Sequence, residues 1–417
     1  GGADDDALQL ARGVAGGLLA LVAHQLSRSW QIQRLFLGQA EVKPGFYFAP
    51  TPRNAAVAAA CPALAPGYYE RQGTPWLWNG DFTTFFPFIS MNCAPVNYRR
   101  RWIRAGDGER VATDWTFPAG GFDPEKPVVL ILHGLNGGSD EAYILDMVPR
   151  LLERGWTCVV MISRGLMNTP IESGNCFNGA RTSDVHAAVR MLQKSVGALG
   201  APIAAVGFSM GGVVLSNYCG TYGDPEKRRE VSGEVPPFGL EAAVNLSGCI
   251  DCVKNSRCVY SRTVWQPFLA YQLKETFVGR FADLFASKGL DVHEVVKGHV
   301  VDVTDFDRET IVKVYDYEDT DDYYRDMSLA YHDRVRHVAK PVLWLHATDD
   351  PIIDCDSFAP GIKAAAEGQE NLFFAISKTG GHVGFPLGWW PVPRRWEYMT
   401  TATVQFVEAA IDASGKQ

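Results

Sequence analysis

The stretch IAAVGFSMGG, residues 203–212, decides how the fold is read. Ile203 to Val206 is a short apolar run of the kind a buried strand needs, and a helix-forming run starts at about Met210. Between them stands Gly207-Phe208-Ser209-Met210-Gly211, a G-x-S-x-G sequence. Alone it is a weak signal, because Gly and Ser are common. Between a strand and a helix it has a mechanical reading. A sharp turn there needs small residues on both sides of the serine, and it lifts the hydroxyl to the top of a sheet. The same turn sets the unpaired N–H groups of a helix N-terminus beside the serine, where an oxyanion would develop.

Working outward, strands alternate with helices. Val111 to Phe117 alternates like a strand, and Pro127 to Leu132 is a short apolar run ending at His133-Gly134. Asp140 to Arg154 reads as a helix, with Ile144, Leu145, Val148, Leu151 and Leu152 on one side and Gly155 as its stop. Trp156 to Ile162 reads as a buried strand, Ser183 to Val196 as a helix and Leu240 to Leu246 as a strand. The alternation returns with a strand at Pro341 to His346, a helix near Phe358 to Glu367, a strand at Leu372 to Ile376 and a last helix at Glu397 to Ala410. Such alternation predicts an α/β fold: a mostly parallel, doubly wound sheet with right-handed crossovers. Residues 250–337 interrupt it with helical patterns alone, at Val264 to Phe277, Arg280 to Lys288 and Asp321 to Leu329. They read as a helical lid inserted over the sheet's C-terminal edge. The expected organisation is therefore an N-terminal helical extension (1–40), an irregular wrapping segment (41–110), the first part of the core (111–249), the lid (250–337) and the rest of the core (338–417).

A serine hydroxyl needs a base to become a nucleophile. His382 lies in Gly380-Gly381-His382-Val383-Gly384, just after the last predicted strand, where flanking glycines allow the chain to approach a site closely. The base needs an orienting carboxylate. Asp349-Asp350-Pro351 follows the strand Pro341 to His346, and Asp350 is the preferred acid with Asp349 as the fallback. The order Ser209, Asp350, His382 is that of the α/β-hydrolases, and differs from the chymotrypsin-like and subtilisin-like orders. His133-Gly134-Leu135-Asn136-Gly137-Gly138 occupies the loop after the early central strand. The backbone N–H groups of Leu135 and Met210 are the expected oxyanion donors, while His133 reads as packing under that loop.

At this point the chain resembles the YheT-like branch of the α/β-hydrolases, which includes plant embryogenesis-associated hydrolases and animal abhydrolase-domain lipases. The resemblance covers roughly residues 60–410. It rests on Cys61-Pro62-Ala63-Leu64, Trp78-Asn79-Gly80, His133-Gly134-Leu135-Asn136-Gly137, Ser163-Arg164-Gly165, the elbow through Gly212, Asp322-Tyr323-Tyr324, Asp349-Asp350-Pro351 and Gly380 to Phe385. It implies Ser209 as nucleophile, Asp350 as acid and His382 as base, with esterase or lipase activity on acyl esters, often at membranes. One departure stands out: Asp81 follows Asn79-Gly80 where the family usually has a His. The H-x-x-x-x-D sequence tied to acyl transfer in some relatives is absent, which favours water as the acceptor.

Composition narrows the remaining classes. The 417 residues are 47% hydrophobic and 21% charged, the balance of a folded protein. A net charge of -8 argues against a nucleic-acid binder, and Arg99-Arg100-Arg101 reads as a solvated loop edge. Nine scattered cysteines are not a disulfide scaffold, and Cys249, Cys252 and Cys258 lack a fourth zinc ligand nearby. No P-loop, Rossmann fingerprint or H-E-x-x-H calls for a cofactor or metal. No apolar stretch reaches 18 residues. Leu10, Val14, Leu18, Leu21 and Val22 recur at helical spacing, so residues 8–26 are expected to be helical. Residues 8–37 are accordingly expected to meet a membrane surface, a protein partner or the body of the chain. The sequence thus reads as a membrane-associated serine hydrolase of lipid or small carboxylic esters. The rival reading is an accessory or scaffold subunit of a larger complex that keeps the hydrolase fold.

Overall fold

The computed structural model describes residues 41–90, 93–172, 175–233 and 235–415. Residues 1–40, and with them the helix and docking role expected over 8–37, lie outside the described residues. The strands are β1 (Gly45–Phe48), β2 (Arg99–Arg104), β3 (Arg110–Thr116), β4 (Val128–Leu132), β5 (Thr157–Ile162), β6 (Ile203–Phe208), β7 (Ala242–Leu246), β8 (Val342–Ala347) and β9 (Leu372–Ser377). They form one sheet in the order β1-β9-β8-β7-β6-β4-β5-β3-β2. The run from β9 to β5 is parallel throughout, and β1, β3 and β2 are antiparallel additions at the edges. Every residue of β4 to β9 is buried. Helices on both faces demand this, and it explains why these strands read as continuous apolar runs instead of alternating ones.

The helices that matter for the site are α1 (Gly80–Ile89), α2 (Ala142–Glu153), α3 (Ser183–Lys194), α4 (Met210–Thr221), α5 (Gln266–Leu273), α6 (Val303–Glu309), α7 (Thr320–Met327), α8 (Ala359–Ala366) and α9 (Glu397–Ser414). In α2, Ile144, Met147, Val148 and Leu151 share the buried stripe, and Gly155 follows the helix at φ +81°. α4 runs beneath the sheet with Gly211 to Gly220 all buried. β5 and β6 leave opposite sides of β4, so the chain direction switches there and a crevice opens at the strands' C-terminal ends.

The stretch 41–110 differs from the irregular wrapping expected of it. It supplies both edge strands of the sheet, β1 and β2, and helices at Pro52–Ala59, Tyr68–Gln72 and Gly80–Ile89. Arg99, Arg100 and Arg101 belong to β2, and are not a loop edge. Arg100 reaches across to a buried partner, Asp114, at 2.7 Å, and Arg101 covers the Trp115 ring at 5.0 Å. Edge strands tolerate charge because one side faces water, so a strand here can look like a polar loop. Between β7 and β8 the described chain is helix and turn only, including α5, α6 and α7. Tyr323 on α7 takes the Gly179 N–H on its hydroxyl, and the Tyr324 hydroxyl donates to Asp307 on α6. Arg164, fully buried, is held between Asp184 at the start of α3 and Asp107. Among the described residues no helix is long and apolar enough to cross a membrane.

Candidate active site

Ser209 sits at the turn from β6 to α4 with φ +50° and ψ -117°. A non-glycine residue held there stores about 1–3 kcal/mol of strain, which the surroundings must over-determine. They do so by close packing. A Cβ on Gly207 would lie 2.4 Å from the Gly211 carbonyl oxygen, and one on Gly211 2.4 Å from that of Leu132. The Ser209 N–H donates to the Leu246 carbonyl at 2.8 Å. Asn245 clamps the first turn of α4, donating to the Gly212 carbonyl and accepting the Gly248 N–H.

His382 enters from the loop after β9. That loop is pinned from three sides. The His382 N–H donates to Thr84 Oγ1 on α1 at 2.8 Å, the Val383 N–H donates to Ser247 Oγ, and the Trp396 indole donates to the Val383 carbonyl. His382 Nε2 then stands 2.8 Å from Ser209 Oγ, and its Nδ1 stands 2.8 Å from Asp350 Oδ2. Asp350 is fully buried, and its Oδ1 accepts the N–H groups of Ile352 and Ile353. Burial pushes this carboxyl up, but the charge and hydrogen bond of His382 outweigh it, with help from the Ile353 N–H. The carboxyl is held below its ordinary range. His346 lies beneath, its Nδ1 3.7 Å from Asp350 Oδ2, and burial pushes it down to about 4, so it stays neutral.

Asp349 takes another place. Its Oδ1 accepts the Gly381 N–H at 2.9 Å, one residue before the histidine. Burial, with Asp350 next to it, pushes Asp349 up to about 7. Gly80 at the start of α1 lies directly against it, since a Cβ there would fall 1.6 Å from the Asp349 carbonyl oxygen. The Trp78-Asn79-Gly80 motif is thus a contact surface for the acid turn, with Asn79 capping α1 through the Asp81 N–H.

Leu135 and Met210 line one cavity with Ser209 and His382, of about 460 Å³. The Leu135 loop is braced by its neighbours. Tyr143 takes the Gly134 N–H on its hydroxyl at 3.0 Å; His133 donates from Nδ1 to the Gly134 carbonyl and accepts the Ser163 N–H on Nε2. Burial lowers the His133 pKa, which suits that neutral, bridging form. The cavity wall is mostly apolar and aromatic, with Phe85 and Phe88 from α1 and Trp265, Phe268 and Leu269 in and before α5. Two carboxyls also face it. Glu141 and Asp307 are both pushed up to about 7 by burial. Cys249 and Cys252 lie in the same wall with their sulfurs 3.6 Å apart. Among the described residues no group of three or more His, Cys, Asp or Glu is placed to hold a metal ion.

The model of the α/β hydrolase fold family matches residues 127–232. The chain is 32% identical over 365 residues to phospholipase ABHD3 of Mus musculus, an alignment covering 84% of this chain and 80% of the mouse protein. The chain belongs to this α/β-hydrolase family. The YheT-like branch is visible in two further relatives. One is the embryogenesis-associated protein EMB8 of Picea glauca, 27% identical over 75% of this chain and 67% of its own length. The other is YheT of Escherichia coli, whose name marks it as an esterase, 29% identical over 76% of this chain and 92% of its own.

Within this α/β-hydrolase, the residues singled out from sequence fall into one cluster. Ser209, Asp350 and His382 form a hydrogen-bonded chain, Leu135 and Met210 stand beside it, and Asp349 serves the histidine loop from behind. Asp81, next to Gly80, links the helix to the insertion. Its Oδ1 accepts the Tyr260 hydroxyl and the Trp265 indole N–H, tying α1 to the inserted helices. Sequence reading missed the residues that brace the site: Thr84, Tyr143, Asn245, Ser247 and His346. Thr84 and Ser247 act on partners 298 and 136 positions away, which no local pattern reveals, and Asn245, His346 and Tyr143 have near partners but stand in runs that read as ordinary strand or helix. Glu141 and Asp307 were missed as well, because their burial beside the cavity comes only from the fold.

Proposed function

We propose that this carboxylic ester hydrolase cleaves lipid esters, of acylglycerol or phospholipid type, through an acyl-enzyme formed on Ser209. His382 takes the Ser209 proton on Nε2 as the oxygen attacks the ester carbonyl, and passes it to the leaving alcohol. Asp350 holds the Nδ1 proton and the imidazolium charge. The Leu135 and Met210 N–H groups receive the oxyanion. Water, deprotonated by the same His382, then releases the acid. The single observation that carries this reading is the pair of 2.8 Å contacts that link the buried Asp350, through His382, to Ser209 in the cavity wall. The apolar wall supports an acyl chain as ligand, and the relative named as a phospholipase supports a lipid. The helical insertion at 250–337 serves as the lid over that cavity.

A fluorophosphonate tests the proposal, because its adduct puts an oxygen where the oxyanion would lie. Labelling at Ser209 alone, abolished in Ser209→Ala together with turnover of a short-chain aryl ester, is the expected result. The Ser209→Ala fold should hold, since one hydroxyl is removed and no cavity of consequence is made. A folded wild-type chain that neither labels nor hydrolyses any ester, with detergent present to open the lid, would instead favour the scaffold reading.

A further inference from the structure

Helix α1 is amphipathic in the reverse sense. Its inward face is Gly80, Thr83, Thr84 and Pro87, all buried. Its outward face is Phe82, Phe85, Phe86 and Ile89, at spacings of three and four, with Phe85 50% and Ile89 61% exposed. A soluble helix ordinarily buries the second set. Here the small polar face is needed inside, where Thr84 holds His382 and Gly80 meets Asp349. Among the described residues no element covers Phe85 and Ile89, while Phe82 and Phe86 are half-buried against neighbouring tryptophans.

The surface continues beyond the helix. Trp76 packs edge-on to Phe86 and stacks on Trp390, and its indole donates to the Trp389 carbonyl. Trp78, Trp389 and Trp390 are 62%, 76% and 63% exposed. On the other side Phe268 of α5 is 60% exposed, and it shares the wall of the Ser209 cavity with Phe85. The aromatic face therefore reaches the wall of the cavity, and exposed Phe85 and Phe268 mark the cavity's mouth there. It also carries little charge of its own, and the cations at its rim are engaged: Arg394 pairs with Glu397 at 2.8 Å, Arg150 with Asp146 at 3.0 Å, and Arg395 donates to the Ser90 carbonyl. Between Arg71 and Arg99 the one charged residue is Asp81, and between Lys378 and Arg394 there is no Asp, Glu, Lys or Arg. The Asp81 carboxylate is engaged by Tyr260 and Trp265.

We propose that this face seats on a zwitterionic lipid bilayer and presents the cavity mouth to it. The inference rests on the reading of the substrate as a lipid ester. Exposed tryptophan and phenylalanine gain most at a bilayer interface, where one side is apolar and the other wet. A protein seated here would stop the mouth through which substrate must pass, whereas a bilayer seated here supplies the substrate. With few charges on the face and those at its rim already paired, the attachment should be nearly indifferent to anionic lipid and to salt.

The test uses the full chain carrying Ser209→Ala, so that the lipid stays intact, with vesicles of phosphatidylcholine alone. Hydrogen exchange should slow at residues 76–90 and 386–393 when vesicles are added, equally at low and high salt. Ile89→Ser combined with Trp389→Ser should weaken vesicle binding by about tenfold or more, the scale for losing two inserted apolar side chains. In the otherwise native chain this pair should keep turnover of a soluble aryl ester and lose turnover of lipid ester in vesicles. Should the pair prove unfolded, Trp389→Ser alone and the exchange map decide. Slowing confined to residues 1–40, a requirement for anionic lipid, or no binding would overturn the proposal. So would slowing at the same residues that follows protein concentration without vesicles, which marks a second copy as the occupant. Vesicle binding as described in a chain whose native form turns over no ester would sink the proposed activity and leave the docking face standing.

Discussion

Replacing Asp350 by Asn tests the site most sharply, because the geometry dictates which way the amide must turn. Asp350 Oδ1 accepts two backbone N–H groups, from Ile352 at 2.8 Å and Ile353 at 2.9 Å. An amide NH2 placed there would face two donors and lose both bonds, at about 1–3 kcal/mol for each unsatisfied buried group. The Asn oxygen must therefore stay on that pair, which turns Nδ2 toward His382 Nδ1. His382 Nδ1 then has to accept, and its proton moves to Nε2, aimed at Ser209. In that tautomer the ring cannot take the Ser209 proton. The expected loss is about 10⁴-fold in kcat, or about 5.5 kcal/mol of barrier. KM should change little, since Asp350 lies beneath the cavity and not in its wall. The assay is turnover of a soluble aryl ester, with thermal melting as the control for folding. A loss under about tenfold in a folded variant would refute Asp350 as the orienting carboxylate.

Asp349→Asn should behave oppositely, keeping most activity because its oxygen can still accept the Gly381 N–H. Its effect is on stability. A carboxyl raised to about 7 in the fold and near 3.9 unfolded destabilises the native chain progressively as pH rises through that window, by up to about 1.4 kcal/mol per unit. Denaturant titrations from acid to neutral pH should show the variant gaining on the wild type, and parallel curves would contradict the buried, protonated state. Gly80→Ala should cost several-fold or more in activity and about 1–3 kcal/mol or more in stability. The backbone it meets at 1.6 Å cannot yield without moving α1 and Thr84, and wild-type turnover would show that it can. Tyr143→Phe leaves the Gly134 N–H without its acceptor beside the Leu135 loop, so kcat should drop about tenfold with KM little changed. A change in KM alone would remove that loop from the reaction.

What the sequence determined was whatever depends on local pattern. Buried parallel strands leave continuous apolar runs, and helices leave a stripe, so β4 to β9 and their crossovers were legible to within a few residues. Ser209 and His382 were legible because tight turns demand small neighbours in a fixed order along the chain. The strands β1 and β2 were not, since edge strands are short, half-exposed and charged like loops. Between Asp349 and Asp350 local pattern supported no more than a preference for Asp350. Adjacent carboxylates in one turn look alike until the fold brings His382 to one and Gly381 to the other. The face of α1 is the clearest case. Read as part of an irregular segment, its phenylalanines should anchor in grooves of the body; in the fold they lie on a helix whose Thr84 is claimed by His382, 298 positions later, so that Phe85 and Ile89 face outward. Periodicity says which residues share a face; only tertiary contact decides which face turns in.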